Sequence, residues 1–258
     1  MVFEDMALYN KLRLEVKNRV GFMTMDSGAR FNKLTINMLK ELKRGLAELQ
    51  ASDEAACIVL SGYPGESFAV GADIGQMVKF DSQHAFAFAE LGQSLFAAME
   101  SCTKPIIGAL NGITMGGGCD LSLACDLRIA SDALRFAHPG AKLGILTGFC
   151  GTQKLPRLLG RNFANEIFMT SDVYGPEDAL RMGYVNCVHP SDSFWPEVVA
   201  FAEKIATNPA PSLDYAKKAI NAAEDCDLKN GCILESGLFS ALFPLRDTSG
   251  SCKEKEVQ

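Results

Sequence analysis

The pattern of apolar and polar residues at the start of the chain predicts two paired strands. Residues 12–16 alternate apolar and charged side chains, and residues 20–25 are mostly apolar and strand-like. Such segments are typical of β-strands. Because Asn18 and Arg19 separate them, we predict a hairpin that turns at these two residues.

Two longer segments have the spacing of amphipathic helices. Thr35 is a good N-cap residue, and the apolar residues after it recur every three or four positions; they are Ile36, Leu39, Leu42, Leu46 and Leu49. Residues 82–102 predict a second helix with an apolar face, which includes Phe86, Leu91, Leu95 and Met99.

Short apolar runs between and after these helices predict buried strands. They are residues 57–60, 68–70, 106–110, 127–130 and 134–137. After Gly151 the pattern becomes helical, in residues 152–159, 162–170 and 177–182, and residues 185–188 predict a last strand. From Phe194 onward we predict three helices, with breaks near Asn208-Pro209 and Asn230-Gly231.

The order of these elements predicts an α/β fold. Strands and helices alternate in the first part of the chain, and helices dominate the last part. A buried sheet core followed by a helical C-terminal region is therefore expected. The recurrence of strand, strand and helix suggests successive turns of a coil, although no repeated sequence accompanies it.

Composition narrows the classes of partner. The 258 residues carry a net charge of −6, and 48% of them are apolar. This acidic balance argues against nucleic acid and anionic membranes as main partners. The longest apolar runs are too short to span a membrane. Residues 1–5 include two acidic residues and no apolar segment, so no secretory signal is expected there.

The cysteines indicate a reducing compartment. Nine cysteines are scattered through apolar segments, and none forms a CxxC pair. Buried reduced thiols in a cytoplasmic protein are the favoured interpretation, over a disulfide framework or a zinc site, and no metal ligands are predicted.

Two glycine-containing loops are the candidates for chemistry. Residues 71–73, Gly-Ala-Asp, follow a predicted strand, and residues 116–118 are three consecutive glycines directly before a helix. Backbone N–H groups in such loops can bind an anion or stabilise an oxyanion that forms during a reaction. The alternative is that the glycines only permit tight turns. The spacing does not match the G-x-G-x-x-G pattern of dinucleotide-binding proteins.

At these loops the chain resembles the crotonase superfamily, the enoyl-CoA hydratase/isomerase group. Residues 68–74, FAVGADI, resemble the family segment F-x-A-G-A-D-[IL]. Residues 104–126 resemble K-P-x-I-A-A-x-N-G…G-G-G-x-E-L…C-D, and residues 151–155 resemble G-T-Q-R-L. Residues 170–185 resemble T-G-x…A-x-x-x-G-L-V, so the resemblance runs in order through most of the chain.

The resemblance implies a crotonase-like spiral of ββα turns over residues 1–195. It implies a helical trimerisation region over residues 196–258, and a homotrimer or a dimer of trimers. The implied substrate is an acyl-CoA thioester, with coenzyme A as part of the substrate and no separate cofactor. The N–H groups of Ala72 and Gly117 would then form an oxyanion hole. The implied substrate-binding residues are Val70, Gly71, Asp73, Ile74, Gly116 and Gly140.

The chain departs from the family pattern at the acid/base residues. The first family glutamate corresponds to Asp120, and the second corresponds to Gly140. An aspartate that some members use instead corresponds to Gly148. Asp120 is therefore the expected lone acid/base group, or else only an acid favoured in the first turn of a helix. His138, close to Gly140, is a second catalytic candidate, because imidazole titrates near neutral pH; the alternative is a polar loop residue.

Other expectations concern the ligand and the C-terminus. Arg30 is a weak candidate for a phosphate contact. Four apolar residues are candidates for an acyl pocket or for ordinary core positions: Met77, Phe80, Leu146 and Phe149. Residues 247–250 lack the glutamate of the family's D-x-x-E-G segment. Hydration of an enoyl-CoA is the expected activity; the alternatives are isomerisation or decarboxylation on the same fold, or a catalytically impaired acyl-CoA binding protein.

Overall fold

The structure, a computed structural model, describes residues 10–245. The features predicted for residues 1–5 and 247–250 lie outside this range. The strands are β1 (Leu12–Lys17), β2 (Val20–Met25), β3 (Cys57–Ser61), β4 (Ser67–Ala69), β5 (Ile106–Leu110), β6 (Ile113–Met115), β7 (Leu127–Ser131), β8 (Arg135–Ala137) and β9 (Cys187–His189). The helices of the first half are α1 (Ile36–Ala51), α2 (Ile74–Met77), α3 (Ser82–Ser101) and α4 (Gly117–Leu123).

Helices make up most of the second half. They are α5 (Gly151–Leu159), α6 (Arg161–Thr170), α7 (Pro176–Met182), α8 (Ser191–Ala206), α9 (Ala210–Ala222) and α10 (Leu228–Leu242). Short 3-10 helices occupy Ala141–Leu143 and Phe243–Leu245. In the described part of the chain, no helix is long and apolar enough to cross a membrane.

The strands form two sheets that are wound together. One sheet has six strands in the order β1-β2-β3-β5-β7-β9, and the other has three in the order β4-β6-β8. Among the strands of residues 10–245, the β1–β2 pair alone is antiparallel, and the other strand pairs are parallel. The chain passes from the larger sheet to the smaller one at β3–β4, β5–β6 and β7–β8. The predicted α/β spiral of ββα turns is therefore confirmed.

Local sequence signals explain where the first elements begin and end. Asn18 and Arg19 have φ angles of 50° and 65°, the left-handed conformation that tight hairpin turns require. The Thr35 side chain accepts a hydrogen bond of 3.1 Å from the Met38 amide at the start of α1. The hairpin and the helix cap that the sequence predicts are both confirmed.

Three predictions of local structure were wrong. The sequence analysis missed β6 and α2, which have three and four residues, too few to show a periodic pattern. The last strand, β9, begins two residues later and ends one residue later than predicted. The last break also lies earlier than Asn230-Gly231, because the Asp227 side chain accepts from the Asn230 amide and caps α10.

Apolar residues fill both faces of the larger sheet. α1 and α3 cover one face. On the other face, Phe194, Val198 and Ala202 of α8 pack against residues of the central strands. Each large side chain buried in this way contributes about 1.5–3 kcal/mol. The expected boundary at residue 195 lies inside α8.

Candidate active site

A cavity of about 330 Å³ opens where the three strands of the smaller sheet end. β4, β6 and β8 are parallel, so their carboxyl ends lie on one side of the sheet. The loops that follow these strands supply Val70, Gly116 and His138 to the cavity wall. The edge of a parallel sheet is a common place for a ligand site.

The two glycine loops meet at this wall. Gly71 has a φ of +85° and Gly116 has a φ of +52°. Residues other than glycine rarely adopt such positive φ angles. A Cβ atom added at Gly71 would lie 3.0 Å from the Gly117 nitrogen and 2.9 Å from the Met115 oxygen. The close approach of the two loops therefore depends on glycine at position 71.

Two backbone amides in these loops have no protein acceptor. Ala72 and Gly117 both line the cavity. Within residues 10–245, neither amide donates a hydrogen bond to the protein. Gly117 is also the first residue of α4, where the amides of a helix lack intrahelical partners. The cavity wall thus offers two neutral N–H donors.

Asp120 lies behind this wall, in hydrogen-bond contact with two side chains. It is 1% exposed, and its Oδ1 lies 2.9 Å from Nε2 of His138. The Thr147 hydroxyl donates to its Oδ2. His138 and Thr147 line the cavity, but Asp120 does not. His138 therefore lies on the wall, and the Asp120 carboxylate lies behind it.

The environment of Asp120 affects its ionisation. Burial raises the pKa of the Asp120 carboxyl, and the hydrogen bonds from His138 and Thr147 oppose this rise. Gly151, the first residue of α5, packs directly against Asp120 Oδ1, and a Cβ atom there would overlap it. Glycine at position 151 therefore leaves space for the carboxylate.

His138 is buried and only half paired. The residue is 3% exposed, and its ring packs 4.3 Å from the Phe168 ring, measured between centroids. Its Nδ1 has no hydrogen-bond partner among the described residues. An unpaired polar atom at a buried site is costly and is often explained by a functional role.

The remaining predicted residues fall into two groups. Those on the cavity wall are Val70, Gly71, Ile74, Gly116 and Gly140, together with the apolar candidates Met77, Phe80, Leu146 and Phe149. Asp73 and Arg30 are not on the wall. The Asp73 side chain caps α2 and pairs with Lys33 at 3.1 Å, and exposed Arg30 pairs with Glu66 at 2.9 Å.

The sequence analysis missed Thr147. Its hydroxyl donates to Asp120 and accepts from the Phe149 amide at 3.2 Å. Nothing in the apolar pattern or in the matched motifs singled it out. Only its position one residue before Gly148, which corresponds to an acid/base position in relatives, pointed to this loop.

The sequence also matches known proteins along most of its length. The enoyl-CoA hydratase/isomerase family model matches residues 15–255. A short-chain-enoyl-CoA hydratase of Clostridium acetobutylicum is 34% identical over 238 residues, covering 92% of this chain and 91% of that protein. A crotonyl-CoA hydratase of Syntrophomonas wolfei is 32% identical over 239 residues, and the match covers 93% of this chain and 92% of that protein.

Solved structures agree with the sequence match. An enoyl-CoA hydratase from Bacillus anthracis superposes with a TM-score of 0.88 at 28% identity, covering 92% of each chain. An enoyl-CoA hydratase from Thermoplasma volcanium superposes with a TM-score of 0.86 at 27% identity, covering 93% of this chain and 94% of the other. Since the family match and these relatives each cover most of the chain, the protein belongs to the enoyl-CoA hydratase/isomerase family of the crotonase superfamily.

Proposed function

We propose that this enzyme hydrates a short enoyl-CoA and stabilises the thioester enolate with the amides of Ala72 and Gly117. The observation that carries this proposal is the pair of amides without protein acceptors on one cavity wall. His138 on the same wall, in contact with Asp120 behind it, supplies the acid/base chemistry.

The two amides suit an enolate for a simple electrostatic reason. Negative charge develops on the thioester oxygen during the reaction, so a fixed N–H donor binds the enolate more strongly than the starting carbonyl. Backbone amides do not titrate, so this stabilisation holds at any pH at which the fold persists. The rate of the reaction rises because the charged state is stabilised more than the starting carbonyl.

The cavity and the relatives support a short acyl group. Apolar side chains, including Phe80, Phe88 and Phe149, dominate the cavity wall, and its volume is about 330 Å³. The relatives are named for short-chain-enoyl-CoA and crotonyl-CoA. Coenzyme A enters this proposal as part of the substrate, and no separate cofactor takes part.

Double-bond isomerisation is the second candidate, favoured by one observation. Gly140 and Gly148, at the two positions where relatives carry further carboxylates, both line the cavity without an acidic side chain. The site therefore relies on one acid/base pair, and one such group can move a proton between two carbons of the same substrate.

A panel of thioesters tests this proposal with a matched pair of variants. Wild type is assayed with crotonyl-CoA, a 3-enoyl-CoA and malonyl-CoA. Gly117→Pro removes the N–H donor, whereas Gly117→Ala keeps it and adds a Cβ atom 3.1 Å from the Phe149 ring. We expect crotonyl-CoA hydration in wild type, and a fall in kcat of roughly 10²–10³-fold for Gly117→Pro. The alanine variant should lose far less.

Other results would contradict parts of the proposal. Turnover of the 3-enoyl-CoA alone would replace hydration by isomerisation. Saturable binding of every thioester without product would indicate a binding protein that lacks catalysis. If the proline variant, shown by circular dichroism to be folded, were as active as the alanine variant, the Gly117 amide would have no role.

A further inference from the structure

The buried contact between His138 and Asp120 assigns different roles to the two residues. We infer that Nδ1 of His138 is the atom that carries the proton to and from the substrate, and that Asp120 is a positioning residue behind it. This inference rests on the proposed function and adds the identity of the proton-transfer atom. It reverses the expectation that the carboxylate at position 120 acts directly.

Asp120 is in the wrong place to exchange a proton with the substrate. Both of its carboxylate oxygens already accept hydrogen bonds, from His138 and from Thr147. Its side chain is fully covered, and it is absent from the cavity wall. A carboxylate held in this way can orient an imidazole and stabilise its protonated form, as in the hydrolytic triads.

His138 has the complementary properties. A carboxylate can only accept, so Nε2, 2.9 Å from Asp120 Oδ1, carries a proton. In the neutral ring, Nδ1 then has a free lone pair, and no described residue donates to it. The residue lies on the cavity wall, and Phe168 packs against the ring. Nδ1 is itself buried, so a substrate becomes its missing partner only when the cavity wall shifts around the ring as the substrate binds.

Among the titratable groups near the His138 ring, Asp120 is the one in direct contact with it. Cys119 also lies on α4, and burial raises the pKa of its thiol to about 12, so it is neutral at physiological pH. Lys142, on the nearby 3-10 helix, donates to a backbone carbonyl. Glu166 of α6 accepts from a tyrosine hydroxyl. Thus the carboxylate of Asp120 is the charge that directly contacts His138.

The proton moves through one group in two steps. A water molecule gives a proton to Nδ1 of His138 while its oxygen bonds to Cβ of the enoyl group. The C=C electron pair moves toward the thioester, and its oxygen becomes the enolate held by Ala72 and Gly117. Nδ1–H of the imidazolium then protonates Cα, and the carbonyl re-forms. Water has been added, and the ring is neutral again.

Three variants separate the two roles. His138→Gln keeps a polar side chain but cannot act as a base, so kcat for crotonyl-CoA should fall by at least about 10²-fold. Asp120→Asn keeps an acceptor for Nε2–H but removes the charge. We expect its kcat to fall by roughly 10-fold or more with little change in KM. This split between kcat and KM distinguishes a positioning role from a role in substrate binding.

His84→Gln is the matched control. His84 also contacts an aspartate, with Nδ1 2.7 Å from Asp81 Oδ1, but both side chains are exposed. Its loss should leave kcat and the pH profile unchanged. In a second measurement, added imidazole should restore part of the activity of His138→Ala, which a purely structural role of His138 would not allow.

The outcomes distinguish this inference from the proposed function. If wild type turns over no acyl-CoA thioester, the proposed function itself fails. If wild type is active and folded His138→Gln keeps its rate and pH profile, the inference fails and the proposed function stands. If Asp120→Asn keeps the wild-type kcat and loses only thermal stability, Asp120 is structural and its positioning role is wrong.

Discussion

At the scale of single residues, the site depends on the close packing of His138 and Thr147 around the carboxylate of Asp120. Asp120 is in the first turn of α4, where the helix dipole favours a carboxylate. The hydroxyl of Thr147 and the ring of His138 contact its two oxygens, and Gly151 lies against Oδ1, where any side chain would overlap the carboxylate. A longer acidic side chain at position 120 would have to displace one of these groups, so the aspartate and the histidine belong together.

Buried thiols give a residue-scale prediction about pH. Burial raises the pKa of Cys57, Cys119 and Cys125 from 9.0 to about 12. Between these values the unfolded chain loses thiol protons that the folded chain keeps. Each protonated buried thiol therefore contributes fully to the free energy of unfolding below about pH 9. As the pH rises above this value, the free energy of unfolding falls by about 1.4 kcal/mol per pH unit for each thiol.

Cys125→Ala measures this effect against wild type. In urea unfolding with a reductant at pH 8, 9 and 10, wild type should lose more free energy of unfolding above pH 9 than the variant does. The difference should approach about 1.4 kcal/mol per pH unit. Cys232→Ala is the control, because this thiol is exposed in the folded chain. Equal slopes for wild type and Cys125→Ala would show that burial does not suppress the ionisation of Cys125.

The sequence could predict part of the site because that part depends on backbone conformation. Gly71 and Gly117 stood out because glycine loops directly after strands can present unobstructed backbone N–H groups. The contact between His138 and Asp120 joins residues 18 positions apart. It depends on the pairing of β6 with β8, and β6 was not predicted. Long-range contacts of this kind leave no trace in local periodicity.

At the scale of elements, α9 is attached to the core by one buried charge. Lys217 is 7% exposed and is the buried residue of this helix. Its ammonium lies 2.8 Å from Asp126 Oδ2 and donates to the Met99 carbonyl at 2.8 Å. Burial raises the pKa of Asp126, and Lys217 opposes this rise. The ion pair therefore fixes α9 next to the start of β5.

Removal of this ammonium should be costly. Lys217→Met leaves a mostly buried carboxylate without its counter-ion, and we expect a loss of about 3 kcal/mol in the free energy of unfolding. Arg13→Met is the control, because Arg13 pairs with Asp26 on the surface, where both side chains are about half exposed, and such pairs contribute less than about 1 kcal/mol. Urea titration at pH 7 compares the two variants. Equal losses would mean that the Lys217 pair does not anchor α9.

Most long elements could be predicted, and the short ones could not. α1 and α3 have 16 and 20 residues, enough turns to display an apolar face. β6 has three residues, and parallel partners on both sides hold it in place. α10 continues through Asn230-Gly231, because the Asp227 cap and the rest of the helix outweigh the low helix propensity of these two residues.

At the scale of the whole molecule, α10 leaves most of its large apolar side chains exposed among the described residues. It has no buried residue in the described chain. The exposed apolar residues in and after it are Leu228, Ile233, Leu234, Phe239, Phe243 and Leu245. A helix of this kind is covered by another molecule or promotes aggregation. The trimerisation region predicted for residues 196–258 includes this surface.

We therefore expect the chain to self-associate through α10. Phe239 is 62% exposed, and Phe239→Glu places a charge where an apolar contact is expected, so desolvation of the carboxylate should weaken assembly. Sedimentation velocity should show wild type as a trimer or a dimer of trimers, and the variant shifted toward monomer. Lys229→Glu, also on α10, controls for the added negative charge and should sediment like wild type. A monomeric wild type, or an unshifted Phe239→Glu, would contradict assembly through this helix.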